Sequence, residues 1–271
     1  MFGTKLNYDT LLFLDGQEVS GINSVDISYS NSTNVVNPLG YKEGLTTVAG
    51  NVDQTFSFTR DLISNSILGS GIGGRPAYTG DTNLSGSIHY EGNSYGFQSG
   101  YLNNWSVSCA VGAPVKETAT FAVYDEMRTG VSASGSVGSP SIYIPSQGSI
   151  TATCDNSSTN RVIGFDYSVS PRRKPYYSVG QKGPVEVKYL NPLQVNATIQ
   201  IEVDDAFMES GRAFLETGKS SRSVSLTIGG RDGASTLLNT SIPNACLVSE
   251  SLNASSDGSL RLTLNYMGHS S

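Results

Sequence analysis

Apolar and polar residues alternate one for one through most of this chain. Val25, Ile27 and Tyr29 are interleaved with Asp26, Ser28 and Ser30, and Phe56 and Phe58 with Thr55, Ser57 and Thr59. The period returns at Val185, Val187 and Tyr189, at Val195, Ala197, Ile199, Ile201 and Val203, at Val224, Leu226 and Ile228, and at Leu260, Leu262, Leu264 and Tyr266. Successive side chains of a strand point to opposite faces, so this period specifies strands with one dry face and one wet face. Asp15-Gly16, Glu91-Gly92-Asn93, Arg231-Asp232-Gly233 and Asp257-Gly258 supply turns between them. The expected class is therefore mainly antiparallel β. Composition agrees, with 30 Gly and 14 Tyr against 4 Met and only 15% charged residues, unlike a helical protein. Two stretches break the alternation. Residues 60–68 carry Leu62, Ile63 and Ile67, and residues 204–216 carry Phe207, Met208, Phe214 and Leu215 behind Asp204 and ahead of Gly218. Their spacing predicts one short helix in each half of the chain.

The order of segments occurs twice. Leu11 and Phe13 before Asp15-Gly16 match Ile142 and Ile144 before Pro145, and Val25–Ser30 matches Ile163–Ser168. A Pro-containing loop follows in both, Pro38 to Gly44 against Pro175 to Gly183, and then Thr55-Phe56-Ser57-Phe58 against Thr198-Ile199-Gln200-Ile201. The helix comes next. Ile88-His89-Tyr90 then parallels Leu226-Thr227-Ile228, Asn104-Trp105-Ser106-Val107 parallels Asn244-Ala245-Cys246-Leu247, and Thr120-Phe121-Ala122-Val123-Tyr124 parallels Leu262-Thr263-Leu264-Asn265-Tyr266. A nearly constant offset through an ordered series points to internal duplication. The copies are expected at 1–131 and 141–271, with the Ser/Gly-rich stretch 132–140 as linker.

Catalytic chemistry is thin. Cys109, Cys154 and Cys246 lie far apart with no CxxC, and His89 and His269 are the only histidines, so a zinc site of ordinary spacing is excluded. All three cysteines read as reduced. Gly69-Ser70-Gly71-Ile72-Gly73-Gly74 has the letters of a dinucleotide loop, but it leads into Arg75-Pro76 and not into a helix. Neither histidine has a triad-like neighbourhood in the sequence. No enzyme activity, metal or cofactor is expected. With 17 Lys+Arg against 23 Asp+Glu the net charge is −6, which gives no general attraction for a phosphate backbone. The apolar run Leu11 to Leu14 is too short for a signal-peptide core, and no run reaches the ~20 residues of a membrane helix. Synthesis in cytoplasm is expected. Trp105 and the tyrosines leave a sugar-binding platform as an alternative.

The order of elements, strands then a long hairpin, a helix and further strands, resembles the tail tube proteins of long-tailed bacteriophages and the related tube of type VI secretion, across nearly the whole chain. The basic run Arg172-Arg173-Lys174 before Pro175, with Gly180-Gln181-Lys182-Gly183-Pro184 after it, looks like the loop region of phage structural proteins. The first copy keeps Pro38, Gly40 and Gly44 without the basic residues. The resemblance implies two tandem β-sandwich or barrel domains and a homotrimeric, pseudo-hexameric ring. Such rings would stack into a virion tail tube with other tail proteins and conduct viral DNA without binding it specifically. It implies long hairpins at 24–60 and 162–204 whose one parity packs inward (Val25, Ile27, Phe56, Phe165, Tyr167, Val185, Val187, Ile199 and Ile201). The other parity, Asp26, Ser28, Asp53, Asp166, Glu186 and Gln200, would face the lumen. Arg172, Arg173 and Lys174 are expected in an inter-ring loop. A tail terminator, a distal tail ring protein and a carbohydrate-binding or adhesin protein are the alternatives.

Overall fold

A computed structural model describes residues 10–36, 46–69, 77–90, 93–131, 142–143, 145–154, 157–158, 162–181, 183–203, 222–232, 235–254 and 260–270. The first half supplies β1 (Leu11–Leu14), β2 (Gln17–Val19), β3 (Ile22–Val36), β4 (Thr46–Asp61), β5 (Leu84–Tyr90), β6 (Asn93–Ala110), β7 (Lys116–Val123) and β8 (Arg128–Thr129). The second supplies β9 (Pro145–Cys154), β10 (Ser157–Ser158), β11 (Val162–Tyr176), β12 (Glu186–Glu202), β13 (Arg222–Gly230), β14 (Thr236–Ala254) and β15 (Leu260–Ser270). All fifteen belong to one sheet.

Hydrogen-bonded neighbours run β2-β1-β5-β6-β7-β4-β3 in the first half and β10-β9-β13-β14-β15-β12-β11 in the second. The two orders are the same, strand for strand, with β8 an addition on β6. Register shifts recur as well: that between Ile22 and Ser24 on β3 answers that between Val162 and Gly164 on β11, and that between Leu84 and Gly86 on β5 answers that between Arg222 and Val224 on β13. Val25 opposite Phe58 thus corresponds to Phe165 opposite Ile199, two residues from the match of Val25 with Ile163. Among the described strands a single ladder, β6 with β11, joins the halves.

Alternation explains the layers. One row runs across eight strands through Val25, Phe58, Ala119, Trp105, Val169, Val195, Gly268 and Ala245. Its members from Phe58 to Val195, and Ala245, are buried. Gly268 keeps this row flat where Ile242 crosses it, since a Cβ there would stand 2.1 Å from the isoleucine methyl. Aromatic rings fill the space behind the sheet: Phe56 meets Phe97 edge to face at 5.1 Å, and Trp105 meets Tyr167 at 5.7 Å across the joint between halves. Each such side chain contributes roughly 1.5–3 kcal/mol by leaving water.

Several expectations are corrected. Residues 60–68 are not helical: β4 continues to Asp61 and an irregular segment follows. The amide of Leu62 donates to Val115 O at 2.8 Å and that of Ser66 to Leu237 O at 3.1 Å, so the backbone is satisfied by distant segments and not by a helical turn. The helix expected at 204–216 and the linker at 132–140 lie outside the described residues. The counterpart of β1 is β9, at Pro145–Cys154, and not the segment around Ile142 and Ile144: Leu12 pairs with Ile88 as Ala152 pairs with Leu226. The register shift at Leu102/Asn104 opposite Phe121/Thr120 recurs at Leu247/Ser249 opposite Tyr266/Asn265, which makes Phe121 equivalent to Tyr266 and shows the β7 match to have been three residues out of step. A slip by an odd number of residues exchanges the two faces of a strand. Trp105 pairs with Ala119 as Glu250 pairs with Leu264, so its counterpart is Glu250 and not Ala245.

Candidate functional site

The reverse of the core-facing row is a continuous polar surface. Ser24, Thr59, Thr118, Ser106, Ser168, Asn196, Met267 and Cys246 lie side by side from β3 to β14. Parallel rows hold Asp26, Ser57 and Thr120, and Ser108, Asp166, Thr198, Asn265 and Ser249. Five expected lumen residues therefore share one face, because Ser28 and Asp53 follow Asp26 in parity and Gln200 lies opposite Gly164. All five are exposed. Glu186 is exposed as well but sits on the outer arm of the β11–β12 hairpin, where it pairs with Lys188 at 3.4 Å.

Hydroxyls and amides of this face bond to one another. Ser28 Oγ and Thr55 Oγ1 are 2.5 Å apart, Thr198 Oγ1 donates to Asn265 Oδ1 at 2.8 Å, and Asn265 Nδ2 donates to Ser249 Oγ at 2.7 Å. Ser170 Oγ donates to Asn104 Oδ1 at 3.1 Å across the joint. Side chains already paired with a neighbour have fewer donors left for a passing phosphate. Partial burial against β6 pushes the Asp166 carboxyl above the ordinary carboxylate range, although its outer edge meets solvent.

The three basic residues stand on strand β11 and not in a loop. Alternation puts exposed Arg172 and Lys174 on the side of Asp166 and Ser170. Arg173 turns the other way and clamps the joint. Its guanidinium donates to Leu102 O at 3.1 Å, Gly80 O at 2.6 Å and Tyr78 O at 2.8 Å, and lies 5.1 Å from the centre of the Tyr101 ring. Asp81 Oδ1 accepts from the Tyr189 amide at 2.8 Å. The planar fork of Arg suits several fixed carbonyls at once.

Of the side chains expected to pack inward, Phe56, Phe165, Tyr167, Val187, Ile199 and Ile201 are buried and Val25 is half-buried. Ile27 and Val185 are corrections, 39% and 65% exposed. Ile27 lies on a sheet edge with no strand beyond it among the described residues. Val185 belongs to the hairpin connection before β12.

Two polar clusters were not foreseen. Arg60 and Glu117, opposite each other on β4 and β7, form a buried ion pair with Nε 2.5 Å from Oε2. Glu117 Oε1 also accepts from Trp105 Nε1 at 2.7 Å and from Ser66 Oγ. Trp105 is fully buried, so it offers no ring face to a sugar. Ser87 Oγ and His89 Nε2 are 2.9 Å apart, a contact that the two-residue spacing on one strand could have revealed. Ser87 is fully buried, so a substrate cannot reach its hydroxyl. Among the described residues no group of three His, Cys, Asp or Glu could hold a metal ion. No family model matches the chain, and no curated protein matches it.

Proposed function

We propose that this chain is a virion structural protein, the subunit of a phage tail tube. Two tandem tube-like domains, 1–131 and 141–271, are joined by 132–140, and three chains close a pseudo-sixfold ring. Rings stack into a conduit through which viral DNA passes. The subunit is made in the host cytoplasm and resides in the tail. The repeated strand order supports the duplication, because an identical path of seven strands is followed twice. A chain carrying two equivalent units needs half as many copies to close a ring of given size.

The observation that carries the conduit reading is the polar face. Binding to nucleic acid is dominated by lysine and arginine neutralising phosphates. Across the body of this face, Asp26, Asp53 and Asp166 accompany short hydroxyl and amide side chains that bond to each other. Such a wall repels a phosphate backbone weakly and offers it few contacts. The function is low adhesion along a long surface.

The test is DNA retention by assembled protein in a co-sedimentation assay. Wild-type assemblies should leave duplex DNA in the supernatant, and the triple variant Asp26→Lys, Asp53→Lys, Asp166→Lys should retain it with a steep salt dependence. Assembled variants that retain no more DNA than wild type would remove the assignment of this face to the lumen.

A further inference from the structure

The ladder between β6 and β11 has an unmatched counterpart at each end of the repeated sheet. In the internal joint, Val169 lies opposite Trp105, Ser168 opposite Ser106 and Tyr167 opposite Val107. The counterpart of β11 is β3, whose only partner among the described strands is β4. The counterpart of this part of β6 is the end of β14. There β15 covers one edge through Ala254, while β13 covers the other only as far as Ala245. Among the described residues one strand edge is thus open in each half, and each is of the kind that the other half has filled.

Side chains at these edges match the buried joint. The register shift between Ile22 and Ser24 on β3 answers that between Val162 and Gly164 on β11, so Ile27 occupies the position of Tyr167 and is 39% exposed, where Tyr167 is 2% exposed. The shift between Leu102 and Asn104 on β6 answers that between Leu247 and Ser249 on β14, so Leu252 occupies the position of Val107 and is 46% exposed against 0%. Tyr29, 64% exposed, corresponds to the buried Val169. Apolar side chains sit in water on both edges, at places where their counterparts form the core. An open edge with an apolar flank is a template for another strand.

We propose that β3 of one chain pairs antiparallel with the end of β14 of a second copy, in the register of the internal joint. Ile27 then lies opposite Leu252 and Ser28 opposite Ser251. The contact is heterologous, so each chain uses one edge of each kind and repetition closes a ring or continues as a filament. Because the joint inside the chain is the template, the polar face runs unbroken from chain to chain. This inference deepens the tube reading by naming the surfaces that its rings would use, but it stands on the repeated ladder alone.

Disulfide trapping tests the register. The variant Ile27→Cys, Leu252→Cys is prepared with Cys246→Ser, since Cys246 is an exposed native thiol on this edge, and is oxidised under assembly conditions. Non-reducing electrophoresis should show a ladder of covalent multimers that reductant abolishes. The pair Ile27→Cys, Val248→Cys, four positions away on β14, should stay monomeric. Separately, Tyr29→Glu should lower assembly at least tenfold in light scattering while leaving the monomer's melting temperature within a degree or two, because this side chain is solvent-exposed. Rings or tubes that form while the thiols introduced at positions 27 and 252 fail to cross-link would overturn the edge assignment and leave the tube reading intact. Efficient cross-linking into assemblies with no lumen would keep the edge assignment and remove the tube. Monomers at every concentration would refute both.

Discussion

Removing Glu117 should be far more damaging than removing it together with Arg60. The Arg60 guanidinium is 1% exposed and ion-paired to a carboxylate that is also 1% exposed. The variant Glu117→Leu leaves a buried cation with only Ser20 O, Ser64 Oγ and Asn65 O as partners. Breaking one side of such a pair costs about 3–5 kcal/mol. The second copy shows the alternative. Arg60 pairs with Glu117 on β4 and β7, and the equivalent positions are Ile201 and Leu262, which lie opposite each other and are likewise buried. One copy thus places an ion pair where the other places two apolar side chains. The double variant Arg60→Ile, Glu117→Leu removes both charges and should recover most of the loss. A deficit of about 1–3 kcal/mol remains, because Trp105 Nε1 and Ser66 Oγ lose their acceptor. The chain has 1 Trp, so its fluorescence during urea unfolding reports on this cluster directly. All variants are compared at one protein concentration in the Tyr29→Glu background, so that assembly does not add to stability. A single variant costing under about 1 kcal/mol, or a double variant no better than the single, would refute the reasoning.

Arg173→Ala should cost about 1.5–3 kcal/mol, as expected for losing hydrogen bonds from a charged donor, and should speed amide exchange around Tyr78 to Asp81. Arg173→Lys should rescue little, since one ammonium cannot reach three carbonyls together; unchanged stability in either variant would contradict the clamp. Stability should also fall at alkaline pH. Burial, with a smaller effect of Asp166, pushes the Cys109 thiol from 9.0 to about 11, against a backbone hydrogen bond from Phe165. The folded value exceeds the unfolded one, so this contribution is fully present below about pH 9 and is lost as pH rises through about 11. The shift corresponds to about 2–3 kcal/mol, and Cys109→Val should flatten the stability profile between those two values. An unchanged profile would mean that Cys109 does not titrate as the fold requires.

Alternation marked the strands, and the family resemblance joined them into hairpins. The expected spans 24–60 and 162–204 became β3–β4 and β11–β12 with ends displaced by only a few residues. Alternation also sorted Asp26, Ser28, Asp53, Asp166 and Gln200 onto one face, because parity survives any uncertainty about which strands are neighbours. The duplication was legible in Val25–Ser30 against Ile163–Ser168, but the shared bulges move that match by two residues, so that Val25 answers Phe165. Alternation alone could not fix the finer matches. Thr120 against Leu262 differs from the observed register by three residues, and a period-two pattern scores nearly as well after such slips once both segments contain threonine. The pairing of Arg60 with Glu117 spans 57 positions and depends on the register of β4 and β7. Residues 60–68 read as a helix because Leu62, Ile63 and Ile67 have mixed spacing, whereas the segment is held by carbonyls of Val115 and Leu237. Exposure of Ile27 was beyond a period of two, which marks a dry face without telling whether another strand covers it.

Electron microscopy of the purified protein across a concentration series, with light scattering on the same samples, tests the central claim most directly. The account predicts a rise from single chains to hollow rings or stacked tubes whose class averages have threefold symmetry and a pseudo-sixfold outline. Persistent single chains at every concentration, or solid aggregates without a lumen, would contradict it.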